Sequence, residues 1–214
     1  RHPSDRPNGR PMSVGPPRAI LFDMDGVLVF SEEAWFAVYN DTLGFFGYLP
    51  ISRDAFDAIY GNGTKADRDT YMPRQTLEEV DEAYGRFFVQ HLDLVKENPE
   101  ARPFLEEVRG RGVATAVATN TQHRLAVRIL GLVGLSPLFD AVACADEAGA
   151  GKPDPAVVRL AAHRVGVSLE ECLFVGDSRY DREAAARAPV RFAPYRMPGG
   201  LSTFAELLPL FPGD

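Results

Sequence analysis

The sequence predicts an α/β fold, in which a doubly wound parallel sheet forms the core and a small all-helical segment is inserted after the first strand. From residue 99 onwards, apolar stretches of strand length alternate with helical stretches, a pattern typical of parallel sheets with right-handed crossovers. In residues 32–98 the apolar residues instead recur at helical spacing. The polar residues suited to chemistry follow apolar strands, at the edge where open α/β sheets bind ligands.

The first strand ends in two aspartates. The apolar run Ala-Ile-Leu-Phe is followed by Asp23, Met24, Asp25 and Gly26. Alternation along a strand sends Asp23 and Asp25 to the same side, and Gly26 lets the chain turn sharply. Two neighbouring carboxylates repel each other unless a cation lies between them. Asp and Gly are also common in solvated turns, so this segment alone leaves both interpretations open.

The inserted segment is expected to contain three helices, over Glu33–Phe46, Arg53–Tyr60 and Leu77–Val95. The third carries an apolar stripe at helical spacing, which is more typical of packing than of a ligand site. Alternation then begins. We expect helices over Ala101–Arg111, Gln122–Leu130, Pro155–Val165, Arg179–Arg187 and Leu201–Leu208, and strands over Val113–Thr119, Phe139–Cys144, Cys172–Gly176 and Val190–Ala193.

Three later segments also place polar residues after an apolar strand or in the loop before a helix. They are Thr119 with Asn120, Lys152 within Gly-Lys-Pro-Asp-Pro, and Asp177 with Ser178 and Asp181 after Gly176. Each segment by itself has a structural explanation, because such residues cap helices or lie in solvent. Helix capping alone does not explain all of them together in this order.

With these motifs the chain resembles the haloacid dehalogenase-like hydrolase superfamily, in its phosphatase branch, and most closely the phosphoglycolate phosphatase-like and β-phosphoglucomutase-like group with a helical cap. The motifs span nearly all of the chain from Arg18 to about Pro194. The resemblance implies a catalytic core of residues 14–31 and 99–214 and a cap of residues 32–98. Residues 1–13 are expected to be a disordered tail, because this part of the chain is rich in proline and has no apolar run.

The resemblance also implies roles for the residues at the strand ends. Asp23 would attack phosphorus and form an aspartyl-phosphate, and Asp25 would protonate the leaving oxygen and later deprotonate water. Mg²⁺ would be held by Asp23, the main-chain carbonyl of Asp25, and Asp177. Thr119 would donate its hydroxyl to a phosphoryl oxygen, and Lys152 would offset negative charge on the nucleophile and the phosphate.

Other residues would support these. The main-chain amides of Gly26 and Asn120 would contribute to the phosphate cradle, and Ser178 and Asp181 would orient metal-bound water or the loop. The cap would choose the substrate. Its predicted contributors are Trp35, Gly61 in a loop with two glycines, and Lys65, although exposed cations such as Lys65 are more often plain surface.

The motif residues are compatible with three functions: a phosphatase, a sugar phosphomutase and a non-catalytic binding protein. Asp25 favours an oxygen leaving group, which needs a proton, over a halide. We therefore expect a Mg²⁺-dependent phosphatase acting on a small-molecule phosphate ester. A sugar phosphomutase is the alternative, but those enzymes usually have a histidine soon after the first motif, where this chain has Trp35. A non-catalytic binding protein is the third, and the intact set of charged motif residues argues against it.

The composition of the chain bears on its partners, its location and the state of its cysteines. The 214-residue chain has a formal net charge of −7, whereas nucleic-acid binding usually leaves a basic footprint. No apolar stretch approaches the ~20 residues of a membrane span. Cys144 and Cys172 both lie in predicted strands, and we expect them to be reduced and buried in a cytoplasmic protein, a monomer or homodimer. Residues 1–17 contain five prolines and no apolar run, and we expect Met12 to be the natural start.

Overall fold

The computed structural model describes residues 15–212 and contains a parallel sheet of five strands. Seven strands lie among the described residues, five in this sheet and two in a small separate sheet. In chain order they are β1 (Ala19–Phe22), β2 (Val29–Phe30), β3 (Lys96–Glu97), β4 (Ala114–Thr119), β5 (Ala141–Cys144), β6 (Cys172–Gly176) and β7 (Arg191–Pro194). The large sheet has the order β5-β4-β1-β6-β7, and all of its pairs are parallel. Because β1 is the central strand, Asp23 lies in the middle of the carboxyl edge, between the ends of β4 and β6.

Nine α-helices lie among the described residues: α1 (Glu32–Phe45), α2 (Arg53–Asp57), α3 (Thr64–Tyr71), α4 (Leu77–Phe88), α5 (Ala101–Gly110), α6 (His123–Leu132), α7 (Ala145–Ala148), α8 (Ala156–Arg164) and α9 (Arg179–Ala186). The predicted α/β fold class is confirmed. Helix α3 is missing from the sequence prediction because its sequence TKADRDTY has almost no apolar stripe. The last predicted helix is a 3₁₀ segment, Phe204–Leu210, with Pro209 inside it, and proline cannot donate to a helical ladder.

The two faces of the sheet follow the alternation of β1. Ile20 and Phe22 belong to one hydrophobic cluster, and Ala19 and Leu21 to the other. On the first face, the Phe22 ring meets the Phe104 ring of α5 edge-to-face at 6.2 Å between centroids. On the second face the small residues of α8 and α9 pack closely. Both faces of the sheet are therefore covered by helices, as parallel sheets require.

The inserted segment forms a helical cap, α1 to α4, and the short strands β2 and β3 pair antiparallel where the chain leaves the core and returns to it. Helix α1 packs against α4, and α4 begins with a capping box between Thr76 and Glu79. Buried cap residues such as Val38 and Phe88 belong to the same hydrophobic cluster as Phe22. Cap and core therefore share one continuous apolar cluster.

Two further expectations concern the whole chain. Cys144 and Cys172 are buried and unpaired, as expected. Among the helices that the structure describes, none has the length and apolar character needed to span a membrane. The predicted tail of residues 1–13 and Met12 lie outside the described residues.

Candidate active site

A cavity of about 470 Å³ lies between the carboxyl edge of the sheet and the cap, within the usual size range of small-molecule sites. The core contributes Asp23, Asp25, Thr119, Lys152 and Asp177 to its wall. The other predicted residues that line it are Asn120, Ser178, Trp35 and Gly61. The topology thus brings together motif residues that are far apart in the sequence.

A buried ion-pair network holds Asp23 at the end of β1. The Lys152 ammonium donates to Asp23 Oδ1 at 2.5 Å and to Asp181 Oδ1 at 2.6 Å. The main-chain N–H of Asp23 donates to the Val175 carbonyl at 2.9 Å, which ties the residue to β6. Lys152 and Asp23 are only 3% and 7% exposed, and Asp181 is fully buried. The network therefore fixes one Asp23 oxygen and leaves the other without a lysine partner.

The charges at this corner are unbalanced. Burial raises the pKa of the Asp23 carboxyl well above its ordinary value, and the Asp181 charge raises it further, although Lys152 opposes both. Burial likewise raises the pKa of Asp177 to about 7. Burial by itself would lower the pKa of Lys152, but Asp181 and Asp23 outweigh it and raise that pKa, so the ammonium stays charged. One cation thus faces three acids.

The same three acids form a candidate metal centre. Oxygen atoms of Asp23, Asp177 and Asp181 all lie within 4.8 Å of one another. Carboxylate oxygens are the ligands that hard divalent cations prefer, and a further positive charge is what this corner lacks. The donor set therefore fits such a cation. The Asp25 side chain is not in this group, which is compatible with the prediction that only its main-chain carbonyl is a ligand.

Three donors hold the Asp25 side chain at the cavity wall. Trp35 Nε1 donates to Asp25 Oδ1 at 2.9 Å, and Ser31 Oγ donates to the same oxygen. Thr121 Oγ1 donates to Asp25 Oδ2 at 2.7 Å. Neither Ser31 nor Thr121 was predicted as a partner of Asp25. The signal for Thr121 was its position two residues after Thr119, at the same strand end.

The end of β4 supplies a hydroxyl and a structural amide. The Thr121 main-chain N–H donates to Thr119 Oγ1 at 3.0 Å, and the Thr119 hydroxyl hydrogen has no acceptor among the described residues. The Asn120 side chain accepts from the Lys152 main-chain N–H at 2.6 Å and donates to the Gly61 carbonyl at 3.1 Å. Asn120 therefore ties the lysine loop to the cap.

The Gly26 main-chain N–H, which was predicted to contribute to the phosphate cradle, donates instead to the Val29 carbonyl at 2.8 Å. Gly26 has a φ of +83°, and a Cβ at this position would collide with the Asp177 carboxylate. Ser178 caps α9, because its main-chain N–H donates to Asp181 Oδ2 at 3.0 Å and its hydroxyl accepts from the Asp181 N–H. Asp181 is thereby fixed between this cap and Lys152, and it does not line the cavity.

Of the three cap residues predicted to select the substrate, two lie at the cavity and one does not. Trp35 faces Asp25, and Gly61 lies at the cavity wall. The structure does not bring Lys65 to the cavity, since its side chain is 74% exposed and its ammonium pairs with Asp69 at 2.9 Å. An i,i+4 acidic partner explains this position. Two cap residues that do line the cavity, Asp67 and Tyr84, were not predicted.

Comparisons of the sequence agree with this geometry. A family model described as haloacid dehalogenase-like hydrolase matches residues 17–189. The chain is 32% identical over 180 residues to the phosphorylated carbohydrates phosphatase of Thermotoga maritima, which covers 80% of this chain and 82% of the relative. It is 30% identical over 177 residues to the phosphoglycolate phosphatase of Aquifex aeolicus, which covers 82% of this chain and 83% of the relative.

Solved structures share the fold. CbbY from Rhodobacter sphaeroides, in complex with phosphate, superposes with a TM-score of 0.78 at 25% identity and covers 91% of this chain and 99% of that one. The β-phosphoglucomutase from Clostridium difficile superposes with a TM-score of 0.78 at 17% identity and covers 89% of this chain and 93% of that one. At 17% identity, the similarity to the β-phosphoglucomutase concerns the fold alone.

Proposed function

The chain belongs to the haloacid dehalogenase-like hydrolase family, and we propose that it is a phosphatase that hydrolyses a small-molecule phosphate monoester through an aspartyl-phosphate intermediate. The carrying observation is that two acids with different partners face one cavity: Asp23, bound to Lys152, and Asp25, bound to three neutral donors. Two carboxyl groups in different surroundings can take different roles. The phosphatase names of the relatives support this assignment.

In the first step, an Asp23 oxygen forms a bond to phosphorus while the bond from phosphorus to the ester oxygen breaks. Asp25 gives its proton to the departing oxygen, which leaves as an alcohol. Thr119 donates its free hydroxyl to a phosphoryl oxygen. Lys152 offsets charge on Asp23 and on the phosphoryl group.

In the second step, a water molecule attacks phosphorus and Asp25 accepts its proton. The bond from Asp23 to phosphorus breaks, inorganic phosphate is released, and the Asp23 carboxylate is restored. Uncatalysed hydrolysis of such esters is slow enough that enzymes accelerate it by up to ~10²¹-fold, roughly 28 kcal/mol. No single residue supplies this amount, so the nucleophile, the acid and the cations act together.

We propose Mg²⁺ as the cofactor, held by Asp23, the main-chain carbonyl of Asp25, and Asp177. When bound, it supplies positive charge beside the phosphoryl oxygens and the nucleophile. The excess of three acids over one lysine supports this proposal. Gly26 keeps the space that the Asp177 carboxylate occupies.

The cavity favours hydrolysis over phosphoryl transfer between two positions of a sugar. A mutase must grip a second phosphate with its cap, and the described cap residues contribute no Lys or Arg to the cavity wall. Lys65 and Arg68 instead pair with Asp69. We also propose a cytoplasmic location, because Cys144 and Cys172 are buried free thiols.

The test is phosphate release from a panel of phosphorylated metabolites and from an aryl phosphate, with and without Mg²⁺. We expect metal-dependent release, and a loss of at least about 10³-fold in Asp23→Asn. Acid-quenched wild-type enzyme should carry phosphate in the peptide that contains Asp23. Release that persists in Asp23→Asn would contradict the nucleophile, and release from no ester would contradict the phosphatase.

A further inference from the structure

We propose that Asp67, Tyr84 and Tyr39 form a hydroxyl-binding site in the cap, which selects phosphate esters with a neutral, hydroxylated leaving group and rejects leaving groups that carry a second anion. This inference rests on the proposed phosphatase function. It concerns the part of the substrate that departs, because the core binds the phosphoryl group.

Three cap helices bring this cluster together. Asp67 lies on α3, Tyr84 on α4 and Tyr39 on α1, and all three residues line the cavity. The Tyr84 hydroxyl donates to Asp67 Oδ2 at 3.1 Å. These side chains are largely withdrawn from solvent, with exposed fractions of 9% for Asp67, 2% for Tyr84 and 3% for Tyr39. The cluster is thus a buried polar patch on a cap wall that also carries the rings of Trp35, Phe56 and Tyr60.

The patch has hydrogen-bonding capacity to spare. Among the described residues, no donor reaches Asp67 Oδ1, and the buried Tyr39 hydroxyl has no partner. Buried polar groups left without partners are costly, so native structures rarely keep them without a reason. A substrate hydroxyl can donate to Asp67 Oδ1, and a second one can pair with the Tyr39 hydroxyl. The unused groups therefore match a polyol or sugar.

The patch is also connected to the reacting atoms. The Trp35 indole donates to Asp25 Oδ1 at 2.9 Å, and its ring meets the Tyr84 ring edge-to-face at 5.7 Å between centroids. Trp35 therefore stands between Asp25, which protonates the leaving oxygen, and the patch. Asp25, Trp35 and Asp67 line the same cavity, and Tyr84 contacts both Trp35 and Asp67, so a leaving group held at Asp25 shares its space with the patch.

The charge around Asp67 excludes an anion. Its neighbour Arg68 pairs with Asp69, and the Lys152 ammonium is taken by Asp23 and Asp181. Arg179 lines the cavity but is exposed, and it donates to the Tyr180 hydroxyl at 2.7 Å. Burial raises the pKa of Asp67 to about 7, which reflects the cost of its charge in this place. A substrate carboxylate placed beside Asp67 would add a like charge, and among the described residues the cap contributes no Lys or Arg to the cavity wall to meet it.

The experiment compares two esters that differ only at the far end of a six-carbon chain. Sorbitol 6-phosphate ends in a hydroxymethyl group, and 6-phosphogluconate ends in a carboxylate. We expect the wild-type kcat/KM for sorbitol 6-phosphate to be at least about tenfold higher, since sites built to bind hydroxyls discriminate strongly. In Asp67→Asn the ratio should fall towards one, mainly through a lower KM for 6-phosphogluconate. Tyr84→Phe should raise the KM for sorbitol 6-phosphate.

Glu78→Gln is the matched control, because it removes one negative charge from an exposed position of the cap helix α4 and leaves the Arg68–Asp69 pair intact. It should leave the ratio at the wild-type value. Thermal melting establishes that each variant is folded. A wild-type preference for 6-phosphogluconate, or an unchanged ratio in folded Asp67→Asn, would overturn the hydroxyl site. Wild-type hydrolysis of an aryl phosphate keeps the proposed phosphatase in place in that case, and its absence would overturn both.

Discussion

The core and the cap build their parts of the cavity in different ways. In the core, Thr119 ends a strand of one parallel sheet and Asp23 and Asp177 each directly follow one, so pairing of the strands alone makes them neighbours. In the cap, Trp35 lies on α1 and Tyr84 on α4, and their rings meet only through helix packing. Sheet topology therefore positions the groups proposed to carry out the chemistry, whereas helix packing positions the groups proposed to recognise the substrate.

Their electrostatics differ in the same way. The acids of the core share a buried lysine and a candidate metal centre. Asp67 in the cap has a tyrosine and no cation among the described residues. Changes in the core should therefore act on charge balance and turnover, and changes in the cap on substrate choice.

The largest effect is expected from Lys152→Met, which keeps most of the length of the side chain and removes its charge. Asp23 and Asp181 would stay buried without a cation, at a cost of about 3–5 kcal/mol in the free energy of unfolding, and turnover should fall by at least about 10³-fold. Urea unfolding and initial rates measure the two effects. Lys65→Met is the control at an exposed lysine. An equal loss in both variants would contradict a special role for the buried network.

The second prediction separates steric conflict from backbone strain. Gly26→Ala would push on the Asp177 carboxylate, and we expect turnover to fall by about 10²-fold and the Mg²⁺ requirement to rise. Gly112 also has a positive φ, +75°, but a Cβ there meets nothing within 4 Å. Gly112→Ala should therefore cost about 1 kcal/mol of stability without loss of activity. Equal activity losses in the two variants would refute the conflict with Asp177.

The third prediction concerns the buried carboxyl group of Asp67 and the pH dependence of the free energy of unfolding. Burial raises the pKa of Asp67 from 3.8 to about 7 in the folded protein. The stability contributed by its protonated form is complete below pH 3.8 and is lost as the pH rises through about 7. Asp67→Asn lacks this loss. Between pH 5 and pH 8, its unfolding free energy should gain up to about 3 kcal/mol relative to wild type. A constant difference across this range would show that Asp67 titrates normally.

A smaller effect is expected where cap and core meet. Trp35→Phe keeps the ring against Tyr84 and removes the N–H that holds Asp25 Oδ1. We expect kcat to fall by about tenfold, because the proton donor loses one of its three supports, while the melting temperature changes little. Unchanged kcat would mean that Ser31 and Thr121 suffice to orient Asp25.

The smallest effect is expected from Lys65→Gln. The Lys65 side chain is exposed and pairs with Asp69 within one turn of α3, and such pairs contribute about 0.3–0.5 kcal/mol. The free energy of unfolding should change by no more than about 0.5 kcal/mol, and kcat/KM should stay within about twofold of wild type. A rise of more than tenfold in KM would restore the sequence-based prediction that Lys65 selects the substrate.

Sequence reasoning failed in the cap for identifiable reasons. Helix α3 has a polar sequence, so its apolar periodicity is too weak to predict. Asp67 lies within a run of charged residues, TKADRD, where an acid is normally solvated. Only the packing of α3 against α4 turns this particular residue inward. Lys65, two positions earlier, faces solvent on the same helix.

The parallel sheet, its alternation with helices and the set of polar residues at the carboxyl edge could all be predicted from the amino-acid sequence. The reason is local: strand periodicity and strand ends can be read within a few residues, and parallel pairing aligns those ends. Only the tertiary structure shows which acids share Lys152, which donors hold Asp25, and which cap residues face the cavity. These depend on side chains from distant segments, whose approach angles are set by packing and not by any short pattern.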